Sequence, residues 1–559
     1  MHNDTGRRAF LAALLAAIAP LPASARTALL CPGDPSISNL QAPLTIDTHA
    51  HFFNGRDLQI REFLSQTTVR PGSELYPLVN GIAGILQAVA WHHAPSAQQE
   101  REAMAKLLRN CSGSEQLRSA AQGAFQEGYE IGRRELQLAA KALSQTTDGA
   151  AVLAATPATV GVGDAIASLP EDYESFEKTS NASILASDKT MKGNLRFVLH
   201  HFNHRHVNAI DYLNTYSKGS PRKIDLVAAS MVDYDYWLAK GKPTPTSLTA
   251  QVELMGDISV LLGGRVHGFV PFCPFREMMT IDASGIGDSM RLVRRAIEAR
   301  GFIGVKLYPP MGFAAWGNTG RSEWKGKASL LPVASAPDFG NRLDASMQRL
   351  FTYCVDNDVP VMAHTNNSNG PFPDFEALAG SSYWQLALTK FPGLRVNFGH
   401  FGDTDLEDHN GARTEKFLKL MTPGAGSSGE RAFADSGYFA GTMLNYDKMG
   451  DVLNSLYASE NRIMLERLMY GSDWSMILTE KNVSRYLADF IKVIRNIEAA
   501  EPGIGARQTT LSNAFFGQNA MEYLALRKGR GNRVRLERFY SQNDVAEPDW
   551  MKKVDKIKV

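Results

Sequence analysis

Cysteine is scarce in this chain: four residues among 559 (Cys31, Cys111, Cys273 and Cys354), with no C-x-x-C pair. That excludes a disulfide-dense scaffold, although one bridge such as Cys31 to Cys111 stays open in an oxidising compartment. An excess of one charge is equally absent. Lys and Arg number 59 against 58 Asp and Glu, a formal charge of +1, which removes the electrostatic case for nucleic acid as a partner. Beyond the first residues no apolar run is long enough to span a membrane, so no stable membrane anchor is expected. No Gly-x-Gly-x-x-Gly turn follows the first predicted strand, which argues against a dinucleotide-binding sheet. No internal repeat or long charge run stands out.

What is present suits a globular protein with a sizeable core: 44% hydrophobic and 21% charged residues. The length exceeds one ordinary compact domain but not an α/β barrel with insertions. Residues 1–25 read as an address. "GRRAFLAALLAAIAPLPASAR" carries the twin arginine Arg7-Arg8, an apolar stretch from Ala9 to Leu21 and the small-residue ending Ala23-Ser24-Ala25. Cleavage is expected after Ala25. The pattern resembles twin-arginine export signals, which predicts a periplasmic destination.

Short β-rich runs alternate with helical patterns along the rest of the chain. Strands are predicted at 44–51, 223–234, 266–275, 301–310, 359–364, 394–400, 437–443 and 467–474. Eight strands alternating with helices predict a parallel (β/α)8 barrel, a TIM-type fold over 44–526, with reactive side chains at the C-terminal strand ends. Residues 55–222, between the first and second strands, read as a large helical insertion, a candidate lid or association surface and hence a possible homo-oligomer contact. Residues 527–559 read as a C-terminal tail. Within the insertion His200, His201, His204 and His206 cluster, but no carboxylate or cysteine completes a defined metal site there.

The stretch "TIDTHAHFF" (45–53) ends the first strand with two histidines one residue apart. Side chains two apart on a strand share a face, so His49 and His51 can aim at one point. Three more predicted strands end in metal-binding residue types: His364, His400 and Asp473. Any one of these is as readily a core histidine or carboxylate satisfied by backbone. All five following one strand-end rule point to a divalent cation held by imidazoles and a carboxylate.

With these residues the chain resembles the amidohydrolase superfamily. "IDTHAHFF", "GFIGVKLYPP" and "YGSDW" look most like its metal-dependent hydrolase branch that includes aminocarboxymuconate-semialdehyde-type decarboxylases. "TTLSNAFFGQNAMEYLAL" resembles the Asn-Ala helix after that branch's last strand. The resemblance covers roughly 44–526, apart from the insertion. It implies that His49, His51, His364 and Asp473 are metal ligands, most simply of one Zn²⁺. It also makes His400 a partner of the attacking water or the developing oxyanion, and Asp473 the group that moves the water's proton.

Lys306, at the end of the fourth strand, has two readings: a carboxylated bridge between two metals, or a cation for a substrate carboxylate or phosphate. Asp233 and Arg276 follow strands two and three, as mouth residues or as an ordinary ion pair. Phe52, Phe53, Tyr308, Phe313 and Trp474 are candidate pocket wall or core. By strand parity Asp47 shares the face of His49 and His51, which leaves open whether it supports the His49 ring. The leading expectation is hydrolysis of an amide, ester or lactone bond of a small molecule. Non-oxidative decarboxylation of an unsaturated or aromatic acid is the alternative, favoured by a cation at the site. A non-catalytic binding protein on a degenerate barrel is the third reading.

Overall fold

The computed structural model describes residues 40–557 apart from 69–75, 111–113, 146–165, 176–192, 194, 217–219, 403–411, 423–428, 440–452, 454–462, 481–482 and 501–508. The expected export signal, the Cys31–Cys111 pairing and most of the Ala-, Thr- and Gly-rich stretch before residue 165 lie outside these residues.

Eight strands pair in sequence order, all parallel: β1 (Ile46–Ala50), β2 (Leu226–Ser230), β3 (Val266–Pro271), β4 (Gly304–Leu307), β5 (Val361–His364), β6 (Val396–Gly399), β7 (Ala432–Asp435) and β8 (Leu468–Met469). Every strand residue is buried, as parallel strands covered on both faces require, and sequences such as "LVAAS" and "VMAH" supply the nearly unbroken apolar run. The seam between β8 and β1 closes through Thr48 N–H donating to the Tyr470 carbonyl at 3.0 Å and a parallel bridge between Ala50 and Trp474. This is the (β/α)8 barrel.

The seventh strand is displaced from its predicted place. It is Ala432–Asp435, not 437–443. "AFAD" pairs Val396 with Ala432, whereas Gly437 follows the strand and Tyr438 adopts φ 56°, a conformation no strand tolerates. Residues 437–439 of "GYFAGTM" are therefore a turn rather than a strand, and residues 440–443 lie outside the described region.

Between β1 and β2 the described residues include the helices α1 (Tyr76–His93), α2 (Ala97–Asn110), α3 (Ser114–Ser144) and α4 (Arg205–Thr215). A buried ion cluster ties α2 and α4 to the end of β1. The Arg205 guanidinium bonds Glu100 at 2.7 Å and Asp57 at 2.8 Å, and Asn54 donates to Glu100 at 3.3 Å. Removing one partner from such a cluster would strand a buried charge.

The C-terminal residues 527–557 include two helices, α5 (Gly531–Gln542) and α6 (Asp549–Lys556). Trp550, Met551 and Leu536 pack with Ile46, Leu226 and Met469 in one apolar cluster that includes strand residues. His267 of β3 is bonded on both ring nitrogens, to the Gly301 carbonyl at 2.6 Å and to the Tyr540 hydroxyl of α5 at 2.6 Å. Among the described residues no helix is long and apolar enough to cross a membrane.

Candidate metal centre

The closing seam of the barrel builds the site. β8 is only two residues long, and the chain beyond it runs beside β1: Ser472 N–H donates to the His49 carbonyl at 3.2 Å and Asp473 N–H to the same carbonyl at 2.6 Å. Asp473 itself takes φ 57°, which turns its carboxylate off the strand direction. Its Oδ1 faces Nε2 of His49 at 3.4 Å and Nε2 of His51 at 3.2 Å. These three ligand atoms lie within 4.8 Å of one another, and all three residues are buried.

The other ring nitrogens fix the chemistry. Nδ1 of His49 lies 3.1 Å from Oδ1 of Asp435, and Nδ1 of His51 lies 2.8 Å from the Ser230 carbonyl. Both partners only accept, which assigns the proton to Nδ1 in each ring and leaves each Nε2 a bare lone pair. Burial also holds His49 well below its usual pKa, helped by Lys306 nearby, so the ring stays neutral. Two lone pairs and a carboxylate oxygen thus converge in a buried space, and Asp473 Oδ1 has no hydrogen-bond donor of its own. Such a set of acceptors fits a divalent first-row cation.

His364 and His400 form the adjoining pair. Nδ1 of His400 donates to the Gly437 carbonyl at 2.8 Å, and its Nε2 lies 3.1 Å from Nδ1 of His364. The ring of His400 sits 4.6 Å from those of both His49 and His364. His364 stands outside the group of three, meeting His400 instead. Its own Nε2 is buried without a hydrogen-bond partner, a second uncommitted lone pair, and Tyr308 stacks on its ring at 4.2 Å.

Lys306 reaches the cluster. Its Nζ lies 3.5 Å from Nε2 of His49 and 2.7 Å from the Met362 sulfur. Burial lowers its pKa to about 8, opposed in part by Asp473 and Asp435. Arg276 has a different engagement: its guanidinium bonds Asp233 at 2.6 and 2.8 Å and Asp235 at 2.6 Å. The cation facing the imidazoles is Lys306. Beside it opens a cavity at the ends of β2 to β4, lined by Met231, Trp237, Phe272, Tyr308 and Phe313.

The expected aromatics divide accordingly. Phe53 stacks on His51 at 5.0 Å, while Phe52 packs against Tyr212 and Trp474 packs against Tyr212 and Tyr216, all in the core. His200, His204 and His206 do not form a metal-sized group among the described residues.

Strand parity misplaces Asp47. The β1–β2 register slips between Asp47 and Ala50, and the Asp47 carboxylate meets Tyr212 rather than the imidazole rings. The residue that holds the His49 ring is Asp435, which sequence reasoning missed. Its Oδ1 also accepts from the His400 and Gly437 amides, and its Oδ2 from Asn397 Nδ2 at 2.6 Å. Its signal was the acid ending "AFAD", obscured by placing the seventh strand too late. Gly437 gives the ring its space: a Cβ there would fall 2.4 Å from Nδ1 of His49.

Residues 286–524 match the family model described as amidohydrolase, a span that contains Lys306, His364, His400, Asp435 and Asp473. Over those residues the chain is similar to the amidohydrolase family. Among the described residues, the buried His49–His51–Asp473 group could hold a metal ion.

Solved structures similar to this chain include a probable 2-pyrone-4,6-dicarboxylic acid hydrolase from Acinetobacter baumannii with citric acid bound (14% identity, TM-score 0.31, covering 58% of this chain and 89% of that one). Two others are 4-oxalomesaconate hydratase from Rhodopseudomonas palustris (13% identity, TM-score 0.33, 57% and 78%) and a 2,6-dihydroxybenzoate decarboxylase with 2,6-dihydroxybenzoate (12% identity, TM-score 0.33, 57% and 87%). No curated protein matches the chain.

Proposed function

We propose that this chain is an enzyme of the amidohydrolase superfamily, a single-metal hydrolase that cleaves an amide, ester or lactone bond of a small molecule. The observation that carries the reading is the convergence of two Nε2 lone pairs and the Asp473 carboxylate in one buried space. A divalent metal bound there, Zn²⁺ being the simplest fit, supplies Lewis acidity and lowers the pKa of water. The chain's own groups do the rest. Asp473 takes up the proton of the attacking water on its carboxylate and passes it to the leaving group. Lys306 donates from Nζ to the oxygen on which negative charge develops. His400, its Nδ1–H fixed on the Gly437 carbonyl, offers Nε2 as an acceptor.

A second reading, decarboxylation of an unsaturated or aromatic acid, is favoured by one observation: a buried cation, Lys306, stands 3.5 Å from Nε2 of His49, where a substrate carboxylate would meet it. One assay separates the two. The purified enzyme is offered lactones and esters alongside hydroxybenzoates, with acid release and carbon dioxide release followed together. Metal-dependent hydrolysis that disappears in His51→Ala supports the first reading. Carbon dioxide release without hydrolysis supports the second, and turnover undiminished in His51→Ala overturns both. The N-terminal twin-arginine pattern further leads us to place the enzyme in the periplasm, which cell fractionation tests.

A further inference from the structure

The helical segment between β1 and β2 makes contacts that a lid or a dimerisation surface would not need. Tyr212 on α4 and Tyr216, the residue that caps its C-terminal end, lie four apart and so share one face. Their rings pack at 5.1 Å from each other and at 5.3 and 5.7 Å from Trp474, the neighbour of Asp473. The Tyr212 hydroxyl donates to Oδ2 of Asp47 at 2.5 Å. The other oxygen of Asp47 accepts from two backbone amides, His49 N at 2.9 Å and Ser472 N at 3.1 Å. One carboxylate thus joins the strand that carries His49 and His51 to the segment that carries Asp473, and α4 holds that carboxylate. A parallel contact comes from the same region: His201 stacks on Phe53, which stacks on His51, and Asn208 of α4 donates to the Phe53 carbonyl at 3.2 Å.

We propose that α4 is a clamp on the metal centre, with Tyr212 and Asp47 as positioning residues that set the separation between the two histidine ligands and Asp473. The inference rests on the reading that His49, His51 and Asp473 hold the metal. Neither residue touches the cluster with its own polar atoms. Asp47 acts through the backbone amides of His49 and of Ser472, the neighbour of Asp473, and Tyr212 acts through Asp47; partners of this kind govern metal affinity as well as ligand orientation.

The test is Zn²⁺ affinity, measured by chelator competition on the full chain stripped of metal, with the thermal midpoint of the metal-free protein recorded beside it. Tyr212→Phe keeps the ring and deletes only the hydroxyl. It is expected to weaken Zn²⁺ binding about tenfold or more, with the metal-free midpoint close to that of the unaltered chain. Tyr216→Phe is the control, since it deletes a hydroxyl on the same helix face that donates to the Val483 carbonyl at 2.9 Å. It is expected to leave Zn²⁺ affinity unchanged. Equal loss of affinity in both variants, or an affinity in Tyr212→Phe within twofold of the unaltered chain, overturns the clamp alone. An unaltered chain that binds no Zn²⁺ overturns the metal site and the clamp with it. If Tyr212→Phe does not fold, Asp47→Asn carries the same comparison with the same expected and overturning results.

Discussion

Asp435 Oδ1 lies 3.1 Å from Nδ1 of His49 and also accepts the backbone amide of His400. A single carboxylate at the end of β7 therefore sets the tautomer of one metal-facing ring and the backbone position of another. Both residues are fully buried, so no water competes for the bond.

Asp435→Asn should consequently loosen the metal before it loosens the fold. The amide still offers an oxygen to the backbone donors but no longer holds the His49 Nδ1 proton as a carboxylate does. A fall in metal affinity of about ten- to a hundredfold is expected, read by chelator competition. Metal affinity equal to that of the unaltered chain would remove Asp435 from the account.

Lys306→Met separates the two roles open to this lysine. If Nζ serves the substrate, metal content by elemental mass spectrometry stays at about one per chain while kcat/KM falls by roughly a hundredfold. A chain that starts with two metals and loses one on this substitution would instead make Lys306 a bridging ligand.

The buried cluster of Arg205, Asp57 and Glu100 predicts a stability effect remote from the chemistry. Arg205→Ala leaves two carboxylates buried without their cation and should cost about 3–5 kcal/mol, measured by denaturant unfolding. A cost under about 1 kcal/mol would show that the cluster relaxes into water.

His267 predicts a pH dependence. Burial lowers its pKa from 6.5 to about 4, so the folded chain keeps it neutral while the unfolded chain protonates it. Its contribution to stability is complete above pH 6.5 and is lost as pH falls toward 4, a difference of about 3 kcal/mol at the low end. Replacing His267 with Gln should flatten the pH dependence of unfolding between pH 7 and 5. An unchanged slope would assign it to other groups.

The comparison of sequence with structure turns on particular residues. His49, His51, Lys306, His364, His400 and Asp473 were legible because a barrel sends its strand ends to one face, so the last residue of each buried run was already a candidate. Asp435 was not, because an apolar stretch starting at Gly437 matched a strand in composition while Tyr438 occupies a left-handed conformation. Arg276 was legible as a mouth residue but not as a partner already engaged by Asp233 and Asp235, since ion pairing depends on distances that spacing does not encode.

Local sequence by itself determined the alternation of short buried runs with amphipathic helices, and hence the barrel, because hydrophobic periodicity is a property of the chain at short range. It also determined which residue types reach the reactive face. Only tertiary structure decided which of them converge: that Asp473 meets both rings of the first strand while His364 meets His400, and that Asp47 turns to Tyr212 after a slip in register. Those choices depend on how β8 closes against β1 across more than four hundred residues, and on a bulge whose energy lies in neighbouring strands rather than in the stretch that carries it.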